Sequence, residues 1–219
     1  MKAADLEWSI AAATMPGETE SGDRYWAGAV SNGMVFAVID GLGHGPAAAA
    51  AAGIAIATLD QHVGDPVTQL LHHCHEALRG SRGVTMSLAA FNTEDAMLTW
   101  IGVGNVECAL LHRDAGLPCD RLLLRNGVVG VRSPGLRAEE LPVRPGDILT
   151  MATDGVIAER AICISVQGRL GTMAMGCWQM ATKALMMPWF WSRGIGAPCR
   201  ERGRYRLSNL TARLFGRCG

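Results

Sequence analysis

Val38-Ile39-Asp40-Gly41-Leu42-Gly43-His44-Gly45-Pro46, running on into Ala47–Ala52, is the stretch on which the fold turns. Val35–Ile39 is an apolar, β-branched run that reads as a strand. Three alternating glycines follow, and then a proline leads into the best helix-forming residue, the pattern of a helix start. The helix is expected to run from Pro46 to about His62. Before the strand, Asn32-Gly33 is the favoured two-residue hairpin turn and joins Tyr25–Ser31 to Met34–Ile39; Glu7–Thr14 supplies a first strand. Beyond the helix, Val67, Leu70, Leu71, Cys74 and Leu78 recur at helical spacing and predict a second helix over Pro66–Leu78. Strands are predicted at Val84–Phe91, Met97–Val103, Val106–His112, Leu122–Arg125, Val128–Val131 and Ile148–Thr153, with Asn126-Gly127 as another hairpin signal. Many antiparallel strands with two inserted helices make an α+β fold, helices packed on a sheet or sandwich.

The 219 residues allow one sizeable domain or two small ones. The formal net charge of zero gives no sign of a nucleic-acid or anionic-membrane partner. That zero is an average over two unlike parts. Residues 1–159 carry 19 acids against 10 Lys and Arg; residues 160–219 carry one acid, Glu201, against 10 bases, with three of the six Trp. The seven cysteines form no C-x-x-C pair, which argues against a disulfide framework or zinc module and for the cytoplasm. The first residues lack the apolar core of a signal peptide. Leu170–Trp191 is long enough to span a bilayer, but Lys183 within it opposes insertion by about 2.5–3.5 kcal/mol, so no membrane association is expected.

Asp40 stands at a rigid strand end, beside glycines that let the backbone approach a ligand. Ile148–Thr153 also ends in Asp-Gly, at Asp154-Gly155, and Asp23 precedes the first hairpin. Three carboxylates at strand ends can converge on hard cations, Mn²⁺ or Mg²⁺. Two such ions suit phosphate-ester hydrolysis, whose slow uncatalysed rate demands strong electrostatic help. His44 can donate a proton to a leaving serine oxygen, cap the next helix or contact phosphate. Thr85 and Asn105 read as strand-end hydrogen-bonding residues, Arg24 and Arg82 as solvated cations within reach of a phosphate. His72, His73 and His75 lie off the apolar stripe and read as surface histidines.

Val38–Gly45 resembles the D-G-x-G-H-G signature of the SpoIIE/RsbX-like branch of the PPM-type (protein phosphatase 2C-like) serine/threonine phosphatases. Glu20-Ser21-Gly22-Asp23, Arg82-Gly83-Val84-Thr85, Gly102–Val106 and Ala152-Thr153-Asp154-Gly155 resemble the other motifs of that family in order and approximate spacing, over roughly residues 5–158. The resemblance implies an antiparallel β-sandwich flanked by helices and two divalent cations, Mn²⁺ or Mg²⁺. It further implies that Asp40 bridges both ions and the Gly41 carbonyl ligates one, while Asp154 holds the other and Asp23 orients metal-bound water. The implied substrate is phosphoserine or phosphothreonine on a regulatory protein, an anti-sigma antagonist or stressosome-type partner.

The family closes with a strand bearing G-T-D-D-A-x-V-L-V, whereas no aspartate follows Asp154 here. Regrouping the codons of Lys183–Ser192 from each third base gives, with four-fold Leu and Ser codons, [S/G]-[S/P/T/A]-[Y/H/N/D]-D-A-[L/M/V]-V-L-V, which contains that motif. Residues 1–159 are accordingly expected to form a C-terminally incomplete phosphatase domain, and 160–219 an atypical tail translated out of frame from a break between about Val156 and Leu170. Two other readings remain: a phosphatase fold that is inactive and only binds its partner, and a dinucleotide-binding βα unit. The latter is disfavoured by its G-x-G-x-G spacing and by Asp40, which would face a phosphate.

Overall fold

The computed structural model describes residues 6–12, 20–114, 116–132, 135–153, 160–166 and 199–205. The hairpin read from Asn32-Gly33 is present: β1 spans Leu6–Ala12, β2 Asp23–Val30 and β3 Gly33–Gly41. Helices α1 (Pro46–Gln61) and α2 (Val67–Ala77) follow, and then β4 (Val84–Asn92), β5 (Met97–Val103), β6 (Glu107–Leu111), β7 (Asp120–Arg121), β8 (Glu139–Pro142), β9 (Ile148–Ala152), β10 (Arg160–Val166) and β11 (Cys199–Tyr205). The strands form two antiparallel sheets, ordered β11-β1-β10-β9-β6-β7 and β2-β3-β4-β5-β8. This is the expected α+β sandwich with helices on it.

The continuous apolar run of β3 is explained by its place in the middle layer. Met34, Phe36 and Val38 face the other sheet and share a core with its Trp8, Leu149 and Met151 and with Phe91 and Trp100 of their own sheet. Val35, Ala37 and Ile39 face the helices and meet Ala51, Ala55, Leu59, Leu70 and Leu71. A strand covered on both faces needs no polar alternation. The alanine content of α1 has a matching cause. Ala48, Ala51, Ala52 and Ala55 are buried, and short side chains let the helix lie close to the sheet.

The elements around the site match the expected ones to within a residue or two. Leu122–Arg125 and Val128–Val131 differ: neither forms a strand. Arg125 bridges Val103, Val129 bridges Val84, and Val128 bridges Arg132. The Asn126-Gly127 turn therefore lies in a strap that crosses the ends of β4 and β5, and no hairpin forms there. The short edge strands β7 and β8 escape a hydrophobicity reading because they are polar, and Pro142 sits where an edge strand tolerates it. Two stretches of the compositionally distinct segment, β10 and β11, pair on either side of β1, with β10 also paired to β9. No helix among the described residues is long and apolar enough to cross a membrane; Leu170–Trp191 lies outside them.

Candidate active site at the Asp23–Asp40 strand end

β2 and β3 are paired so that Asp23 faces Asp40, and β3 and β4 so that Asp40 faces Thr85. Three strands thus line up Asp23, Asp40 and Thr85 in one row at the edge where α1 begins. Directly paired residues have Cβ atoms about 4.5–5.5 Å apart, so two carboxylates share one small volume. Asp23 is buried and Asp40 half-buried.

Neighbouring polar side chains orient both carboxylates. Thr153 Oγ1 donates to Asp23 Oδ2 at 2.9 Å, reaching across from the end of β9 in the other sheet. Asn105 Nδ2 donates to Asp40 Oδ2 at 3.4 Å, and the Thr85 hydroxyl in turn bonds Asn105 Oδ1. The expected strand-end hydrogen bonding of Thr85 and Asn105 is therefore directed at Asp40. Gly102-Val103-Gly104 sets Asn105 in place: Gly104 has φ 97°, and a Cβ there would lie 2.3 Å from the Thr85 Cβ. Ser21 Oγ accepts from the Asp23 amide at 3.1 Å. Thr153 and Ser21 carry no role of their own in the sequence reading; their signal is membership of the motifs that hold Asp154 and Asp23.

The glycine loop is held from both sides. The Gly41 amide donates to the Gly22 carbonyl and the Leu42 amide to the Gly83 carbonyl, each at 3.2 Å. Gly41 must be glycine, because a Cβ would sit 2.3 Å from the Ala48 carbonyl oxygen of α1. Gly43 and Gly45 have φ of 89° and 72°, values strained for other residues. His44 lies exposed between them, one residue before Gly45, the N-cap of α1. Of the two candidate arginines, Arg24 is engaged: its Nη1 donates to the Ser21 carbonyl at 2.8 Å. Arg82 is exposed, and its Nη1 lies 2.9 Å from where a Gly43 Cβ would be, beside the loop.

Asp154 lies outside the described residues, one position beyond Thr153. The two facing carboxylates offer oxygen donors, the chemistry that hard divalent cations require. Facing carboxylates repel one another, and a cation between them removes that repulsion.

His72 is exposed, as its surface reading has it, whereas His75 departs from that reading. His75 is half-buried, and its Nδ1 accepts from the Gly130 amide at 2.9 Å. His73 stacks on His62 with ring centroids 3.9 Å apart.

Both the sequence and the fold have known counterparts. The sequence model of the Stage II sporulation protein E (SpoIIE) family matches residues 31–183. Phosphoserine phosphatase RsbX of Bacillus subtilis (strain 168) is 29% identical over 100 residues, 46% of this chain and 50% of that protein. The chain thus aligns with half the length of this curated relative. A crystal structure of RsbX in complex with magnesium superposes with TM-score 0.69 at 18% identity, covering 74% of this chain and 96% of that one. The catalytic domain of the serine/threonine phosphatase PstP, in complex with two manganese ions, superposes with TM-score 0.56 at 15% identity, covering 75% and 100%.

Proposed function

The chain belongs to the SpoIIE family, of the PPM phosphatase fold, and from that premise we propose that it hydrolyses phosphoserine or phosphothreonine on a regulatory protein with the help of divalent cations. The observation that carries this reading is the facing pair Asp23 and Asp40, each carboxylate oriented by a hydrogen bond. Asp40, Asp23, Asp154 and the Gly41 carbonyl would hold two ions, Mg²⁺ or Mn²⁺. When bound, those ions would supply a nucleophilic water at neutral pH and neutralise phosphate charge.

The chain's own residues do the rest. Asn105 and Thr153 fix the direction of the ligand oxygens, so that little reorganisation accompanies the reaction. Gly43 and Gly45 keep the loop free of side chains where a phosphate approaches. Arg82, beside Gly43, is placed to bind a phosphate oxygen. His44, exposed on the same loop, would protonate the departing serine or threonine oxygen. The partner is a phosphorylated anti-sigma antagonist or stressosome-type protein in the cytoplasm, the substrate class implied by the RsbX-like motifs.

A second reading has its own support. No aspartate follows Asp154, where the family motif supplies another ligand; a chain short of one ligand can keep the fold and bind its partner without turnover. Manganese-dependent hydrolysis of p-nitrophenyl phosphate, measured beside Asp40→Asn, separates the two. Turnover abolished by the substitution supports the phosphatase. A folded, inactive chain that still binds the phosphorylated partner supports the second reading.

A further inference from the structure

His62 ends α1 as its C-cap residue, Asp65 lies in the turn that follows, and His73 is on the facing side of α2. Asp65 Oδ2 lies 3.4 Å from His62 Nδ1 and 3.3 Å from His73 Nε2. One ligand atom from each residue falls within 4.8 Å of the other two. From these positions we propose that His62, Asp65 and His73 bind a borderline transition-metal ion, Zn²⁺ by preference, independently of the Asp23–Asp40 site.

Distances and donor chemistry both favour zinc. A tetrahedral ion with bonds of about 2.0–2.1 Å has ligand–ligand edges of about 3.3–3.4 Å. Two of the three edges already have that length. Two imidazoles and one carboxylate form a nitrogen-rich set that magnesium does not favour, and three protein ligands leave a fourth position for water. The rings now lie within 9° of parallel, so capture requires them to turn until both nitrogens face one point. All three side chains are a little over one-third exposed and have room for this.

The supports for these side chains are rigid. The Asp65 amide donates to the His62 carbonyl at 2.9 Å, closing the turn. Leu59, Leu70, Leu71 and Cys74 pack the two helices together, and Cys74 Sγ donates to the Ala55 carbonyl at 3.8 Å. The negative end of the α1 dipole lies at His62 and favours a cation there. Asp40 lies before the other end of this 16-residue helix, about 24 Å long. A bound ion would clasp α1 to α2 and hold fast the helix whose first turn packs on Gly41.

The test uses the full chain carrying Asp40→Asn, stripped of metal and kept in excess Mg²⁺ so that oxygen sites are silent. Titration with Zn²⁺ by calorimetry, and with Co²⁺ by visible absorption, should give one equivalent with the spectrum of a tetrahedral ion. His73→Ala and Asp65→Asn should each weaken binding at least 100-fold, more than the loss of an outer-shell partner costs; His72→Ala should leave it unchanged. In the unsubstituted chain, Zn²⁺ should shift the imidazole NMR signals of His62 and His73 and spare those of His72. Zn²⁺ binding indifferent to His73→Ala, or imidazole signals unmoved by saturating Zn²⁺, would overturn the proposal.

Discussion

Asp23 and Asp40 face each other across the β2–β3 ladder, and a different loop orients each. Asp23 is held by Thr153 from the opposite sheet and Asp40 by Asn105 from the loop after β5. The Thr153–Asp23 bond thus ties the two layers of the sandwich together at this pair, whose geometry depends on both sheets keeping their register. A one-residue slip of β2 against β3 would turn Asp23 to the other face of the sheet and leave Asp40 without its partner.

This dependence makes Asn105 and Thr153 positioning residues. Asn105→Ala and Thr153→Val should leave the fold intact and raise the Mn²⁺ concentration needed for half-maximal activity by about 10–100-fold, the usual cost of losing an outer-shell partner. The manganese dependence of p-nitrophenyl phosphate hydrolysis measures this. If the maximal rate falls with no change in manganese dependence, these residues do not act through the ligands.

Gly41 and Gly53 make a paired test of how closely α1 approaches the sheet. Gly41→Ala places a Cβ 2.3 Å from a backbone oxygen that cannot yield without moving the helix, so it should cost about 1–3 kcal/mol, as overpacking does. Gly53 is exposed inside α1 with nothing within 4 Å of a new Cβ, and Gly53→Ala should stabilise by about 0.4–1 kcal/mol. Urea unfolding of the two variants should move in opposite directions.

Much of this site was legible in the sequence because its signals are local. A strand ending in Asp-Gly, a proline at the helix start and an Asn-Gly turn each follow from neighbouring residues, and β2, β3 and α1 came out nearly as read. The strap from Arg125 to Arg132 was misread because Asn126-Gly127 is a hairpin signal only when both flanks find each other. Here Arg125 and Val129 find Val103 and Val84 instead. The hydrogen bond from Thr153 to Asp23 spans 130 residues, and no periodicity or spacing carries such a contact. The same holds for His62 and His73, which become neighbours only because α1 and α2 fold back on each other.

Arg82 should act on substrate binding. If its guanidinium holds the phosphate alike in the ground and transition states, Arg82→Ala raises KM and leaves kcat nearly unchanged. Charge-assisted hydrogen bonds contribute about 1.5–3 kcal/mol, which predicts a rise in KM of roughly 10–150-fold. Steady-state kinetics on a phosphoserine peptide distinguish this from a general-acid role, which would lower kcat.

His112 should make stability pH-dependent. Its ring is desolvated, which disfavours the charged form, but hydrogen bonds to Asp120 at 2.9 Å and Asp147 at 3.4 Å outweigh this and raise its pKa above 6.5. A raised pKa means that the folded chain binds the proton more tightly than the unfolded one. The resulting stability is complete below about pH 6.5, the unfolded value, and is lost as pH rises through the folded value. The unfolding midpoint should therefore fall between mildly acidic and alkaline buffer, and His112→Gln should flatten that slope. An unchanged slope would mean that other groups govern it.

The reading frame beyond β9 gives the last expectation. We propose that residues after a break between about Val156 and Leu170 are translated out of frame, because the third-base regrouping of Lys183–Ser192 forces Asp-Ala and then Val-Leu, followed by Val with a four-fold Ser codon, at the positions of the family's closing motif. Independent support comes from composition: ten bases against one acid after residue 159, reversing the balance before it. The family match runs to residue 183 and so crosses the interval of the break; the coding sequence is therefore the deciding measurement. It should encode Gly-Thr-Asp-Asp-Ala in the shifted frame, and a chain expressed with that frame restored should bind Mn²⁺ more tightly than the present one. A related gene that aligns in the present frame through Trp191 would rule the break out. The one-acid tail would then be native, and the site would have to hold its ions with Asp23, Asp40, Asp154 and backbone oxygen alone.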